Sequence, residues 1–595
     1  MGIIINGKDF EFAPGETVLQ VAKRAGIDIP HLCSLDWAPS PSASCRLCLV
    51  EVEGSPRLQT SCTLRAQDGL AVRTHTPRLL RARRAIVELL VANHPPDCLG
   101  CHRSGTCELA ELARELGVRS RQYAGLKKDQ PIDISSPAIW RDPNKCVLCG
   151  RCVTMCHQIQ GVGAIDFIDR GFRTQVAPGF YEGLNVSGCT FCGQCVRVCP
   201  TGALIEHDQV DEVLEVLGNP DTVVVTQIAP AVPATLAAEC SKPPAVPVML
   251  EHMAAALKRI GFDAVFDTAF AADLTIMEEA TELVDRLTNG GPLPMFTSCS
   301  PAWINFVELH RPDLIPHLST CKSPQQMAGA LIKAIYPRYA NLNGKRLVVV
   351  SIMPCTAKKQ EAAELGDVDY VLTTRELLAL WRRFGIDFAT FEDREPLDPP
   401  FAEASGAGRL FAATGGVTEA AVRTAAALLA SRSVGNGWSQ MRKLRSQSET
   451  IEPLEEARGL QGFKRFSVRV GETVLQLAVV NGLGRLRHLN REALAGLHFV
   501  EVMSCPGGCA GGGGQPYGTE AKDLAKRLEQ IYDADARAEH RASHENRSVA
   551  ALYEEFLGRP LSEVSHRLLH RTYADRSPAA ANAAAKSRVG TRVAG

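Results

Sequence analysis

Two stretches, CVLCGRCVTMC (146–156) and CTFCGQCVRVCP (189–200), carry the same cysteine spacing twice. Each places three cysteines two residues apart and a fourth three residues further on. Thiolate is soft and anionic, so four such donors suit an iron–sulfur cube. Three closely spaced cysteines reach three corners of one cube, and the fourth lies across the module and ligates the other cluster. The spacing therefore assigns Cys146, Cys149, Cys152 and Cys199 to one [4Fe–4S] cluster, and Cys189, Cys192, Cys195 and Cys156 to a second. Disulfides or paired zinc sites are the alternatives, and the regular doubling argues against both.

The rest of the chain fits that start. Of its 21 cysteines, 15 fall in the first 200 residues. At 595 residues and 45% hydrophobic content the chain has room for several domains with cores of their own. The formal net charge of −1 gives no footprint for nucleic acid. The opening MGIIINGKDFEF lacks a basic stretch followed by an apolar one, and no run of eighteen apolar residues suggests a membrane span. A cytoplasmic location follows as the expectation, and in that reducing compartment thiols bind metal rather than pair.

Working outward, residues 137–210 form a module with the spacing of a two-cluster bacterial ferredoxin. Residues 1–78 begin with two short strands joined by a Gly turn, then a helix over ETVLQVAKRAG. Cys33, Cys45, Cys48 and Cys62 lie on loops of this β-grasp-like module and read as a [2Fe–2S] site, with a zinc ribbon as the alternative. Residues 79–120 hold the helical pattern RLLRARRAIVELLVANHP and then His94-x3-Cys98-x2-Cys101-x5-Cys107. One imidazole and three thiolates suit zinc. Between two iron–sulfur modules, a His-ligated [4Fe–4S] cluster is the favoured reading.

Residues 211–575 read as α/β. DTVVVTQIAP, PLPMFTSC, RLVVVSIMPC, RLFAATGG and HFVEVMSC are strand candidates, mostly separated by helical patterns. Three of them end in Cys299, Cys355 and Cys505. Sites in open α/β sheets gather beyond the carboxyl ends of strands, so these thiols and Cys509 are placed to converge. Residues 576–595 are low-complexity and read as a disordered tail. The fold class expected is thus multidomain α+β and α/β.

TSCSPAW (297–303), MPCTAKKQE (353–361) and EVMSCPGGCAGGGGQP (501–516) resemble the three motifs of [FeFe] hydrogenases. The resemblance covers almost the whole chain. The order of the N-terminal clusters is similar to the family's long form, found in NAD(P)-linked or electron-bifurcating multimeric enzymes. The [2Fe–2S] spacing is similar to that of the large iron–sulfur subunit of NADH dehydrogenases. ALYEEFLGRPLSEVSHRLLHRTY (551–573) resembles a part that is a separate small subunit in some relatives.

The resemblance implies an H-cluster: a [4Fe–4S] cube joined through one cysteine sulfur to a diiron unit bearing CO, cyanide and a bridging dithiolate amine. By motif position Cys355 and Cys505 ligate the cube, and Cys509 bridges to the diiron unit. Lys358 matches the donor to a cyanide, and Gln325 and Met353 match residues that line the diiron pocket. Cys299, Glu279, Ser319 and Glu282 match the proton path. The glycines after Cys509 would let backbone approach a bulky inorganic group.

Two positions depart from the family. Ser300 stands where the commonest first motif has a second cysteine, a cube ligand. Ser300, Cys299 or Cys321, four residues before Gln325, are the candidates for the fourth ligand. Cys321 reads equally as a small buried hydrophobe. Ala231 stands where a serine is common. Cys240 matches nothing in the family and reads as structural.

The implied activity is reversible reduction of 2H⁺ with 2e⁻ to H₂. The N-terminal clusters, one [2Fe–2S] and three [4Fe–4S], pass electrons to or from ferredoxin or a flavin-containing NAD(P)-reducing subunit, in a hetero-oligomer. An H₂ sensor and a non-hydrogenase iron–sulfur assembly relative are the alternatives. Sensors of the family usually carry a signalling domain and lose the relay cysteine, and assembly relatives lack intact second and third motifs.

Overall fold

The computed structural model describes residues 2–35, 41–119, 123, 127–432, 453–470 and 473–580. Residues 581–595 of the expected tail lie outside the described residues. The chain divides into two compact units. One comprises residues 1–159, 163–187 and 194–206, and the other residues 160–162, 188–193 and 207–595. No helix among the described residues is long and apolar enough to cross a membrane.

In the first unit, β1 (Gly2–Ile5) and β2 (Lys8–Glu11) form the expected hairpin. Asn6 and Gly7 make its turn with φ of 54° and 78°, the positive pair that matches strand twist in a two-residue hairpin. β3 (Leu49–Val52), β4 (Gln59–Thr60) and β5 (Ala71–Arg73) complete a sheet of order β2-β1-β5-β3-β4. The helix Val18–Arg24 starts at a capping box of Thr17 and Gln20. Its Val18, Val21 and Ala22 pack with Ile3, Ile5 and Val72 in one core that includes Cys48 and Cys62.

Thr76 caps the helix Pro77–Asn93, with Pro at its first position. Arg83 of this helix is fully buried and donates to the carbonyls of Leu47, Leu49 and Thr74 at 3.1, 2.7 and 2.8 Å. It thereby fixes the loop that carries Cys45 and Cys48. β6 (Ile139–Arg141) pairs antiparallel with β9 (Leu204–Glu206), and β7 (Asp166–Ile168) with β8 (Gln175–Ala177).

The second unit is built on two sheets. β10 (Thr222–Ile228), β11 (Ala264–Asp267), β13 (Arg346–Met353) and β14 (Tyr370–Thr373) lie parallel in the order β11-β10-β13-β14. Both faces are covered, so β13 reads as a nearly continuous apolar run. β12 (Met295–Phe296), β15 (Phe463–Val470), β16 (Thr473–Asn481) and β17 (Phe499–Met503) form the other sheet, order β12-β17-β16-β15. Only the β15–β16 pair is antiparallel there.

The expected strand RLFAATGG is absent. Arg409 and Leu410 close the short helix Gly406–Leu410, and the residues after them turn. Ser405 caps that helix by accepting from Gly408 N–H, and Gly415 takes φ 85°. A cap at the start and a left-handed glycine at the end override the apolar run.

The segment resembling a small subunit folds back within this unit. Lys322 N–H donates to Leu569 O at 2.7 Å and Arg571 N–H to Thr320 O at 2.8 Å. Tyr553 hydroxyl donates to the buried Glu278 at 2.6 Å.

Candidate functional site

Four strands of the two parallel arrangements deliver their following residues to one cavity. β10 leads to Ala229–Ala231, β12 to Cys299 and Ser300, β13 to Pro354 and Cys355, and β17 to Ser504 and Cys505. The cavity holds about 80 Å³ for the centres of water-sized atoms. A single water needs roughly 10–15 Å³ on that measure, so a polyatomic group fits. Cys509, Lys358, Gln325 and Met353 also line it.

The donor set fits an iron–sulfur group. Burial, then the Cys505 and Cys509 thiols, push Cys355 up to about 12, and the Lys358 ammonium pulls the other way. Burial and Cys505 push Cys509 to about 12 in the same manner. Such thiols are neutral by themselves, and a cationic cluster is what would hold them as thiolates. Among the described residues no three His, Cys, Asp or Glu side chains converge on a single metal ion. A polynuclear cluster, with a ligand at each corner, needs no such convergence.

The glycines around Cys509 also let backbone approach backbone. A Cβ on Gly512 would lie 2.0 Å from Pro354 O, and one on Gly513 2.2 Å from Cys192 O. One on Gly508 would lie 2.7 Å from the Thr414 nitrogen. A side chain at any of these three positions would collide with neighbouring backbone, in a loop whose Cys509 lines the same cavity as Cys355. Cys192 is itself part of the cavity lining, and Thr356 Oγ1 donates to Phe191 O at 2.7 Å.

Lys358 and Lys359 are both buried. Lys359 pairs with Glu376 at 2.9 Å. Lys358 Nζ donates to Cys299 O at 3.2 Å and to Glu361 at 3.0 Å. Glu361 also accepts from Ser323 Oγ at 2.8 Å and Gln325 Nε2 at 3.3 Å. The sequence reading missed Glu361, although its place one helical turn after Lys358 was a signal.

The helix Thr268–Asn289, capped by Asp267, carries Glu279 and Glu282. Glu279 is fully buried; burial, then the Glu282 carboxylate, push it up to about 8 against the pull of Ser319 and the Ser298 N–H. Ser319 Oγ donates to Glu282 at 3.0 Å, and Arg286 Nη2 donates to Glu282 at 2.6 Å. Burial, the Glu279 carboxylate and Cys509 hold the Cys299 thiol well above the ordinary range. Ser319 and Arg286, the latter not named by the sequence reading, thus both meet Glu282, while neither carboxylate oxygen of the buried Glu279 makes a hydrogen bond.

Cys321 is not on the cavity. It is fully buried in the apolar core with Met327 and Leu331, and its backbone bridges to His570. Burial and the carboxylates of Glu282, Glu279 and Glu278 push its thiol well above the ordinary range. Its expected role as a replacement ligand is corrected to that of a core residue; proximity in sequence to Gln325 did not bring its sulfur to the site. Cys240 ends the helix Ala231–Glu239, and its thiol donates to Leu236 O at 3.4 Å.

In the first unit, Cys146, Cys149, Cys152 and Cys199 line one cavity. The four thiols Cys33, Cys45, Cys48 and Cys62 act on one another's ionisation: their neighbours hold Cys33 and Cys48 below the ordinary thiol range and push Cys45 and Cys62 above it. Ser42 and Ser44 donate to Cys149 O at 2.6 and 2.9 Å. His94 ends the helix Pro77–Asn93, Cys98 is exposed, and Cys101 and Cys107 are half-buried. A Cβ on Gly202 would lie 2.9 Å from Cys101 Sγ. Cys156 and Cys195 fall in this unit, whereas Cys189 and Cys192 fall in the other. Ala164 N–H donates to Cys156 Sγ at 3.3 Å and Phe191 N–H to Cys189 Sγ at 3.4 Å.

Residues 222–513 match the family model described as iron only hydrogenase large subunit, C-terminal domain. Residues 521–576 match the iron hydrogenase small subunit. Residues 1–77 match a 2Fe-2S iron-sulfur cluster binding domain, 83–122 the NADH-ubiquinone oxidoreductase-G iron-sulfur binding region, and 145–203 a 4Fe-4S dicluster domain. The chain is 46% identical to NADP-reducing hydrogenase subunit HndD of Solidesulfovibrio fructosivorans, over 96% of this chain and 98% of that one. It is 36% identical to iron hydrogenase 1 of Clostridium pasteurianum, over 96% and 99%. Among solved structures, an apo [FeFe]-hydrogenase HydA1 variant from Chlamydomonas reinhardtii superposes with a TM-score of 0.52 at 36% identity, over 62% of this chain and all of that one. The chain belongs to the iron-only, or [FeFe], hydrogenases, in a form with N-terminal 2Fe–2S and 4Fe–4S domains.

Proposed function

We propose that this chain interconverts 2H⁺, 2e⁻ and H₂ at the thiol-lined cavity, with residues in the following roles. Cys355, Cys505 and Cys509 would hold a [4Fe–4S] cube, and Cys509 would also serve a diiron unit. When bound, this H-cluster supplies the redox-active metal and a local base for heterolytic handling of hydrogen. Lys358, fixed by Glu361, directs its ammonium into the cavity, where a charge-assisted hydrogen bond orients an anionic ligand. Met353 and Gln325 line the diiron side and exclude water.

Protons move through Cys299, Glu279, Ser319 and Glu282. Each group in the series both accepts and releases a proton, which a relay to a buried site requires. Glu279, held near 8, keeps its proton at neutral pH and can pass it on.

Electrons move along the N-terminal modules. The expected boundaries are 1–78 for the β-grasp [2Fe–2S] domain, 79–120 for the His-ligated [4Fe–4S] domain, 137–210 for the ferredoxin domain and 211–575 for the catalytic domain. The ligand sets are Cys33, Cys45, Cys48 and Cys62 for the [2Fe–2S] cluster, and His94, Cys98, Cys101 and Cys107 for the first [4Fe–4S] cluster. Cys146, Cys149, Cys152 and Cys199 hold the next, and Cys189, Cys192, Cys195 and Cys156 the last. The Ser42 and Ser44 contacts to Cys149, and the closeness of Cys101 to Gly202, support a route among the modules of the first unit. Cys192, on the catalytic cavity, supports the final step.

The outer partner is a flavin-containing subunit that reduces NAD(P), in a cytoplasmic hetero-oligomer. The likeness to a subunit named NADP-reducing hydrogenase supports this over ferredoxin alone. The sensor and assembly alternatives are disfavoured by Cys299 and by the intact second and third motifs on one cavity.

The observation that carries the proposal is the meeting of Cys355, Cys505, Cys509 and Lys358 around one cavity. The test is H₂ evolution from a reduced viologen dye by chain matured with its diiron unit. Turnover is expected, and its absence in fully loaded protein would overturn the reading.

A further inference from the structure

Ser300 occupies the cap position of the helix Pro301–His310, yet its side chain makes no capping bond. A serine there ordinarily accepts from the second or third helical N–H, a bond worth about 1 kcal/mol. In this chain Ser300 lines the cavity instead, with its hydroxyl 2.6 Å from the Ser504 hydroxyl. The same cavity is lined by Cys355, Cys505 and Cys509. Of the competing sulfurs, Cys321 lies in the core, and Cys299, which also lines the cavity, is assigned to the proton relay proposed above.

We propose that Ser300 supplies the fourth ligand of the cube in this cavity, through oxygen, with Ser504 donating a hydrogen bond to that oxygen. This rests on the cavity holding a cube, as argued above. On ligation the Ser300 O–H bond breaks, an O–Fe bond forms, the proton leaves to solvent and no electron moves. Alcohol oxygen is hard and gives up its proton reluctantly. Two features of the site offset that reluctance: the charge of the iron, which acidifies a bound oxygen as it does bound water, and the charge-assisted bond from Ser504. The corner held by oxygen is the weakest of the four, so its iron is the first to leave on oxidation.

The test uses the full chain reconstituted with iron and sulfide, without the diiron unit. Iron content, EPR and Mössbauer spectra are compared before and after mild oxidation with ferricyanide. Ser300→Ala is expected to lose about one iron per chain and to gain a three-iron EPR signal beyond that of the parent. Ser300→Cys is expected to retain that iron through oxidation and to shift the cube's spectrum. Ser504→Ala is expected to keep the cube but lose the labile iron faster. The signals of the N-terminal clusters report that each variant is folded. Iron content, spectra and iron loss in Ser300→Ala indistinguishable from the parent would overturn the proposal. Cys355→Ala separates the two levels of the argument. If it alters the cube signal while Ser300→Ala does not, only the serine ligand is wrong. If Cys355→Ala also leaves every cluster signal and the iron content unchanged, the cavity holds no cube, and the functional reading falls with the ligand.

Discussion

The Glu361 carboxylate lies 3.0 Å from the Lys358 ammonium, one helical turn away, and both are nearly sealed from solvent. The pair aims a cation at a cavity lined by thiols. Removing one partner of a buried ion pair leaves an uncompensated charge, at a cost of about 3–5 kcal/mol. Glu361→Ala should therefore lower the melting temperature and cut turnover by more than tenfold. Glu361→Gln keeps a hydrogen-bonding group beside Lys358 and should retain more of both. Thermal melts and dye-linked assays of the two variants check this. Equal, parent-like behaviour in both would remove Glu361 from the site.

Glu279 makes stability depend on pH. Its folded value of about 8 lies above the ordinary 4.5, so the stability it contributes is full below about pH 4.5 and is lost as pH rises to about 8. Within that window the slope is about 1.4 kcal/mol per pH unit. Glu279→Gln should flatten the slope, as read by denaturant melts across pH. The same variant should slow H₂ turnover by about 10²–10⁴-fold, the range of a lost proton-transfer group. Turnover in the parent should fall as pH rises past 8.

Cys299→Ala separates relay from ligation. The thiol lines the cavity and is assigned to the relay, so its loss should stop proton delivery while iron content and cube spectra stay at parent levels. Loss of the cube in this variant would make Cys299 a ligand and would displace Ser300 from that role.

How far the site could be read from the sequence depended on what sets each part. Spacing is local, so the cysteine repeats gave the grouping of Cys146, Cys149, Cys152 and Cys199, which line one cavity. Apolar runs marked β10, β12, β13 and β17, and their ends indicated where Cys299, Cys355 and Cys505 would meet. Tertiary contacts were less legible. Arg409–Gly416 reads as a strand, but Ser405 and Gly415 make it a helix end and a turn. Cys321 and Gln325 are close in sequence, yet only Gln325 reaches the cavity. Glu361 and Arg286 look like ordinary charges on helices until burial shows what they hold.

The His94 site distinguishes iron from zinc. Metal analysis of the chain loaded under iron-replete conditions should find negligible zinc. His94→Ala should abolish or shift one [4Fe–4S] EPR signal and leave the [2Fe–2S] signal unchanged. Stoichiometric zinc that disappears in His94→Ala would make residues 79–120 a zinc module.

Infrared spectroscopy of the matured full-length chain tests the central claim most directly. Metal-bound CO and cyanide absorb where protein does not, so the bands report the diiron unit itself rather than the accessory clusters. The chain should show these bands, and Cys509→Ala, which removes the bridging sulfur, should weaken or abolish them. Bands absent from the matured parent chain would contradict the assignment of this cavity as the site of hydrogen chemistry.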